Sequence, residues 1–557
     1  MTNSNEQVFQ MQKTQNKEKY IYLTINLFVI LSACCFCILT YEATSRLQKY
    51  LSCVYMALFL GLSIFLVQKY IPSLIYTTLK KPKTLYLILS FWGTLFTIIY
   101  ICLYTRISFF VSIINPVILI LFSSPFIFVF LYFAYSFISK KIVQFYKSLT
   151  KLEKRLFIIF FITGIIFFAL TNLPTGMFVG RSTNSYWFEI FSFDVSHCLR
   201  DQLFTNFSTS HNCVRHALIT LFTFPIFIIP TCLFNILKLS ILTAFLVLFV
   251  QLLIIFVMII LIKRLFRPDS VLFEIIFTSI LFLSSSFLFN MLVYEKFVIS
   301  AFFIILTIDA SLKNNNEKYL YFLASVGTLT TSLFLLPIVF FNKNTPLKTT
   351  IKNISLAGLG FILLLILGGQ INHIVFGYQE LSSAVGAFGG ASVNFINKIA
   401  QYLENFAIFF VMPNTIVASD NCLWYPKTSI FGWLTILGFV ILVISIIGFI
   451  KNYKDKFCQI CFYWLLFLTF CDLVIGWGTA LNELFIYSIT YSWCVFVLFF
   501  KGLQFISRKQ SIMNAIAIGI LVLMFSYNIY RLYKIVEFGY YSYPSIFRQI
   551  YCNIKKM

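Results

Sequence analysis

Between residues 21 and 530 the chain passes through one apolar run after another, near 21–41, 50–67, 85–103, 117–138, 155–173, 240–262, 272–292, 294–311, 319–341, 354–370, 429–450, 457–475, 485–500 and 512–530. A helix needs about 20 mainly apolar residues to cross a bilayer, inside which every backbone polar group must find its partner within the chain. The succession predicts an all-α polytopic membrane protein. Composition agrees: 60% of the residues are hydrophobic and 11% charged, whereas soluble domains carry about 25% charged residues. A soluble enzyme is excluded, and the apolar surplus is lipid-facing surface.

The net charge is +23. In a soluble chain that excess would suggest nucleic acid, but here most cations sit in short segments between apolar runs, where they set orientation. No basic patch is interleaved with exposed aromatics, so nucleic acid is not an expected partner. Lys13, Lys17 and Lys19 place the N-terminus in the cytoplasm, and the first run lacks a small-residue cleavage site, so it reads as a retained span. The cation-rich loops 68–84 and 139–155 then fall inside, and the fifth run exits near residue 173. Residues 174–216 are therefore expected outside.

Two runs break this regular count. Residues 217–235 contain Pro225 and Pro230, and a full crossing would carry Lys263, Arg264 and Arg267 outside. They read as a helix lying in or dipping into the outer leaflet. The run 319–341 is expected to break around Gly327 to Thr331 into a hairpin, which returns Lys343, Lys348 and Lys352 to the inside. With these adjustments 371–428 is external, 451–456 internal and the basic tail 531–557 external. The sum is about 13 to 15 crossings, divided into a four-span module (1–150), a transmembrane core (151–530) with external loops 174–216 and 371–428, and the tail. Residues 393–412 read as an interfacial helix, and Ala384–Ser392, with three glycines, as a flexible segment.

Titratable residues are scarce, so their clustering carries information. The loop from Arg181 to His216 holds three of the chain's four histidines, His197, His211 and His216, together with Glu189, Asp194, Asp201, Arg200 and Arg215. An acidic residue just outside a span, followed some twenty residues later by Arg-His and then by an apolar, proline-containing helix, suits work on a lipid-linked substrate. A carboxylate such as Asp194 could take a proton from an acceptor hydroxyl as it attacks an anomeric carbon. Arg215, Arg200, His211 and His216 could pair with the phosphate that leaves with the lipid. Glu295, Asp472 and Glu483 are candidates for a cavity, since an acidic residue within or beside a span must face a cavity or a partner. Asn482 reads as a turn residue, Glu274 and Asp309 as solvated, and His373 as incidental.

The segment from Lys154 to about Ile236 resembles the start of GT-C fold integral membrane glycosyltransferases that use polyprenyl-phosphate sugars, the group containing protein O-mannosyltransferases and lipid A aminoarabinose transferases. Asp194 and the run Arg215-His216-Ala217-Leu218 stand where that group has its acidic residue and its Arg-His-Pro-like signature, with alanine at 217 in place of the common proline. The resemblance implies inverting transfer of a sugar from a polyprenyl monophosphate to a glycan, lipid or protein acceptor on the outer face of a plasma membrane. Asp194 or Asp201 would be the base. No DxD pair occurs in the loop, so neither metal nor other cofactor is expected. Residue usage rich in Phe, Ile, Lys and Asn points to a bacterial source.

A transporter or flippase of a lipid-linked saccharide is the alternative, and an oligosaccharide polymerase or ligase the third. A transporter should place its ionisable residues at mid-membrane on broken helices, whereas here they gather in an external loop. Most of the 14 cysteines lie in apolar runs as small hydrophobes, the Cys458–Cys461 CxxC included, since no second pair gives it zinc-site spacing. Cys198 and Cys213 are a candidate disulfide on the outer face.

Overall fold

The computed structural model describes residues 134–175, 213–237, 240–293, 295–341, 345–368, 370, 372–414, 416–417, 423–424, 430–479, 484–507 and 509–542. Apart from a two-residue antiparallel bridge between Ile416–Val417 and Leu423–Trp424, these residues form helices, helical turns and short connections. The predicted runs between residues 21 and 133 lie outside them. Contacts divide the chain into two compact units, Met1–Thr150 with Thr223–Thr243, and Lys151–Phe222 with Ala244–Met557.

In the first unit, helix α1 (134–148) meets helix α3 (Ile219–Leu237), where the Tyr135 hydroxyl donates to the Pro225 carbonyl at 2.7 Å. α3 remains helical through Pro225 and Pro230 although each removes a backbone donor.

The second unit contains α2 (Lys151–Thr175), α4 (Ser240–Phe266), α5 (Val271–Leu283), α6 (Ser285–Leu292), α7 (Lys296–Leu312), α8 (Lys318–Thr328), α9 (Leu336–Phe340), α10 (Leu347–Leu367), α11 (Asn372–Phe388), α12 (Phe395–Phe410), α13 (Trp433–Lys451), α14 (Lys456–Thr469), α15 (Ser492–Ser507) and α16 (Gln510–Ser542). Among the described residues six helices are long and apolar enough to cross a membrane, or up to eight if each bent pair is one span. The described residues are almost wholly helical, and the protein is multi-span.

The bent pairs divide runs that read as single spans in the sequence. α5 and α6 meet at 53°, at an extended Ser284. The 3-10 segment Leu484–Thr490 meets α15 at 70°. There the indoles of Trp464 and Trp493 both donate to the Thr490 carbonyl, at 3.0 and 2.9 Å, and fix the corner in a buried setting. Buried Asn528 on α16 joins three elements: it accepts from the Met412 N–H and donates to the carbonyls of Leu283 and Phe410 at the ends of α5 and α12.

The run 319–341 breaks at Leu329, inside the expected window, between α8 and the 3-10 turn Thr330–Leu335. Its ends fold together, with the Tyr319 and Phe340 ring centroids 5.3 Å apart. A straight helix would hold residues 21 apart in sequence about 30 Å apart. The hairpin is formed.

Three expectations change. The helix within 393–412 is not interfacial along its length, because Glu404 through Phe410 are buried on all sides. Ala384–Phe388 is the last turn of α11 and not flexible chain, and Gly390 packs against Gly476. α16 continues to Ser542, twelve residues into the predicted tail, since no proline interrupts it and Lys534 pairs with Glu537 one turn on.

Candidate functional site

Asp194, Asp201, Arg200, His211, Glu483 and the Cys198 half of the candidate disulfide lie outside the described residues. Arg215, His216, Glu295 and Asp472 lie within them, all in the second unit. The structure gathers the first three at one place and sets the fourth in the interior.

Arg215 and His216 occupy the 3-10 turn Val214–His216, which backbone bonds hold from three directions. The Val214 N–H donates to Glu380 of α11 at 3.1 Å. The Val214 carbonyl accepts from the Thr330 hydroxyl, and the Leu218 N–H donates to the Gly327 carbonyl at 2.8 Å. The hairpin break at Leu329 serves this turn. It ends α8 at Thr328, whose carbonyl, released from the helix, accepts from the Ser300 hydroxyl at 3.1 Å and from His216 Nδ1 at 2.6 Å.

That last bond determines what His216 can do. A carbonyl only accepts, so Nδ1 carries the proton and Nε2 is left with a lone pair in the neutral ring. Burial, and then the charge of Lys296, hold the imidazole well below its usual range, and Arg215 adds to this; the Thr328 carbonyl opposes them and is outweighed. A neutral ring whose only N–H is occupied cannot donate to a phosphate. His216 is 1% exposed and packs edge-on against Phe297, at 5.2 Å between centroids. The phosphate contact expected of it does not suit a ring in this state, and His216 is instead the post that fixes the turn.

The neighbours are cations. Arg215, half-buried, lies over the Trp477 ring at 5.6 Å from its centroid. Lys296, also half-buried, starts α7, where Glu295 caps the helix by accepting the Lys296 N–H at 2.8 Å. Glu295, expected as a cavity residue, is thus a buried cap. Phe297 leads from His216 to Tyr487, at 4.9 Å, and Tyr487 lies against Gly478. Trp477 stands between two glycines of positive φ, Gly476 and Gly478. The close approach of Gly476 to Gly390 brings the Lys398 side chain to the same turn.

His373, read as incidental, pairs with Glu380 at 2.9 Å across two turns of α11, and the same carboxylate holds Val214. Sequence reasoning missed Lys296, Glu380, Trp477 and Lys398. The alternation Gly476-Trp477-Gly478 is the one local signal that could have drawn attention to this turn.

Asp472 lies away from this cluster in its chemistry. It is 2% exposed in a π turn, Phe470–Ile475, at the end of α14, with the Asn405 amide 3.4 Å away. Among the described residues no group of three or more His, Cys, Asp or Glu side chains converges as a metal site. No family model, no curated protein and no solved structure matches the chain.

Proposed function

We propose that the protein is a membrane glycosyltransferase of GT-C type that transfers a sugar from a polyprenyl-phosphate carrier to an acceptor on the outer face of a bacterial plasma membrane. The observation that carries this reading is the pair of half-buried cations, Arg215 and Lys296, set beside a neutral His216 immediately before the apolar helix α3. A phosphomonoester-linked lipid offers the matching charge, an anion for the two cations. Trp477 adds a flat apolar ring next to the anion seat, suited to a sugar face.

In the reaction an acceptor hydroxyl attacks the anomeric carbon as the carbon–oxygen bond to phosphate breaks. Asp194 or Asp201 takes the hydroxyl proton, and the phosphate leaves with the lipid, its charge met by Arg215 and Lys296. The test is transfer by the purified chain from a polyprenyl-phosphate sugar, with Asp194→Asn, Asp201→Asn and Arg215→Ala as variants. Loss of transfer with retained donor binding in one Asp variant supports the reading. Absence of transfer by the unmodified chain from any such donor overturns it.

A second reading has its own observation. Asp472 is buried in the π turn that ends the candidate span Lys456–Ile475, and a buried ionisable residue within a span is what a transporter of a lipid-linked saccharide would use. Movement of labelled lipid-linked saccharide across proteoliposomes without formation of product selects that reading.

A further inference from the structure

Asp472 belongs to a second buried polar cluster, in which two short rows of residues face one another. On α12 they are Tyr402 and Asn405, three apart and so on one side of the helix. On α14 and its π turn they are Thr469 and Asp472, also three apart. The Tyr402 and Thr469 hydroxyls lie 2.7 Å apart, and the Asn405 amide and the Asp472 carboxylate 3.4 Å apart. Among the described residues the groups that interact with the carboxylate are neutral: Asn405, the phenols of Tyr402 and Tyr491, and the thiol of Cys471. No lysine, arginine or histidine among the described residues pairs with it.

One buried polar atom here is unsatisfied, Oδ1 of Asn405, and the carboxylate beside it has no counter-charge among the described residues. Asp472 is 2% exposed, with one long contact in place of a counter-charge, and an unpaired carboxylate so placed is costly. Asn405 is fully buried, and its Oδ1 has no partner. The 3.4 Å separation is long for an amide–carboxylate hydrogen bond, for which about 2.7–3.2 Å is usual. A half-turn of the Asn405 amide puts Oδ1 where Nδ2 stands. Two oxygens that bind an ion at about 2.4 Å, at right angles, lie about 3.4 Å apart.

We propose that Asp472 and Asn405 form a binding site for a monovalent cation of sodium's size, with the hydroxyls of Tyr402 and Thr469 as its neutral oxygen neighbours. One carboxylate balances one positive charge, so a divalent ion would bring an uncompensated charge into the interior. The π turn supports the assignment, since π segments are frequent at functional sites. The proposal stands apart from the glycosyltransferase reading and needs neither its donor nor its acceptor.

The test uses the full chain, purified in detergent, and radiolabelled sodium. The unmodified protein binds sodium saturably, and its thermal unfolding midpoint is higher in sodium chloride than in choline chloride of equal ionic strength. Asp472→Asn, which keeps the side-chain shape, loses both responses. Asn405→Ser, which keeps the carboxylate and shortens the amide, weakens sodium binding at least tenfold. If the unmodified chain neither binds sodium nor responds to it, the carboxylate is neutralised by a proton and the proposal fails. If Asp472→Asn or Asn405→Ser binds sodium as the unmodified chain does, the ion sits elsewhere and the proposal fails equally.

Discussion

His216 donates its Nδ1 proton to the carbonyl of Thr328 at 2.6 Å, across 112 positions of sequence. The bond joins the turn before α3 to the residue at which α8 stops, and it leaves the ring neutral in the folded protein. Unfolded, the same histidine takes up a proton near its ordinary pKa of about 6.5. Because the folded value lies below the unfolded one, the stability due to His216 is complete above about pH 6.5 and is lost as pH falls below it. His216→Gln keeps a donor for Thr328 and cannot take up the proton. Unfolding midpoints measured from about pH 7 to about pH 5 should fall less steeply for the variant than for the unmodified chain. Equal slopes would show that His216 is not held neutral.

Arg215 and Lys296 are expected to separate by role. Arg215 has both a charge and a planar face over Trp477, so Arg215→Lys preserves the first and loses the second. If the pair seats the donor phosphate, Arg215→Ala and Lys296→Ala each remove about 1.5–3 kcal/mol of charge-assisted binding, which raises the donor KM about tenfold or more. The donor KM of Arg215→Lys falls between those of the alanine variant and the unmodified chain, and Trp477→Ala also raises KM toward the alanine value. Donor KM values unchanged in both alanine variants would remove the phosphate seat from this turn.

The spans among the described residues were legible in the sequence because hydropathy is a local property, and so was the break near Leu329, which followed from where Lys343, Lys348 and Lys352 had to lie. The corners at Ser284 and Thr490 were not, because nothing in an apolar run says that two indoles will take one carbonyl. α12 misled because Gln401, Glu404 and Asn405 read as a wet face, yet Asn405 is fully buried. Arg215 and His216 stood out as a pair of adjacent basic residues. Their division of labour did not, because it is imposed by Thr328 and Lys296 from distant segments. Glu274 read as solvated for the same reason: its partner, Lys263, is brought to it by the packing of α4 on its neighbours.

That packing gives a third prediction. Lys263, 6% exposed in its side chain, contacts Glu153 of α2 at 2.6 Å and Glu274 of α5 at 2.5 Å, while Arg264 holds the other oxygen of Glu153 at 2.6 Å. Removing one member of a buried pair costs more than the pair contributes, because a charge is left behind. Glu153→Ala should destabilise by about 3 kcal/mol, the low end for such removals, since Glu274 still faces Lys263. Glu153→Met combined with Lys263→Met should recover most of that loss. Denaturation in detergent reads both, and a double variant no better than Glu153→Ala would mean that the ions themselves hold the three helices.

The last prediction concerns how closely α13 and α15 approach. A Cβ on Gly448 would lie 1.9 Å from the Leu498 carbonyl oxygen, and one on Gly502 would lie 2.1 Å from that of Ile444. The two glycines are reciprocal: each helix gives a bare backbone to a carbonyl of the other, which is how helices approach closely where lipid supplies no hydrophobic drive. Alanine at either position must push rigid backbone away, at a cost of about 1–3 kcal/mol or more. Gly358 on α10 and Gly519 on α16 have nothing within 4 Å of such a Cβ, so alanine there should be neutral or add up to about 1 kcal/mol through helix propensity. The four single variants thus share one chemical change and differ only in what surrounds it. Thermal unfolding should rank Gly448→Ala and Gly502→Ala well below the unmodified chain, and Gly358→Ala and Gly519→Ala at or above it. Four equal midpoints would mean that α13 and α15 do not meet backbone to backbone.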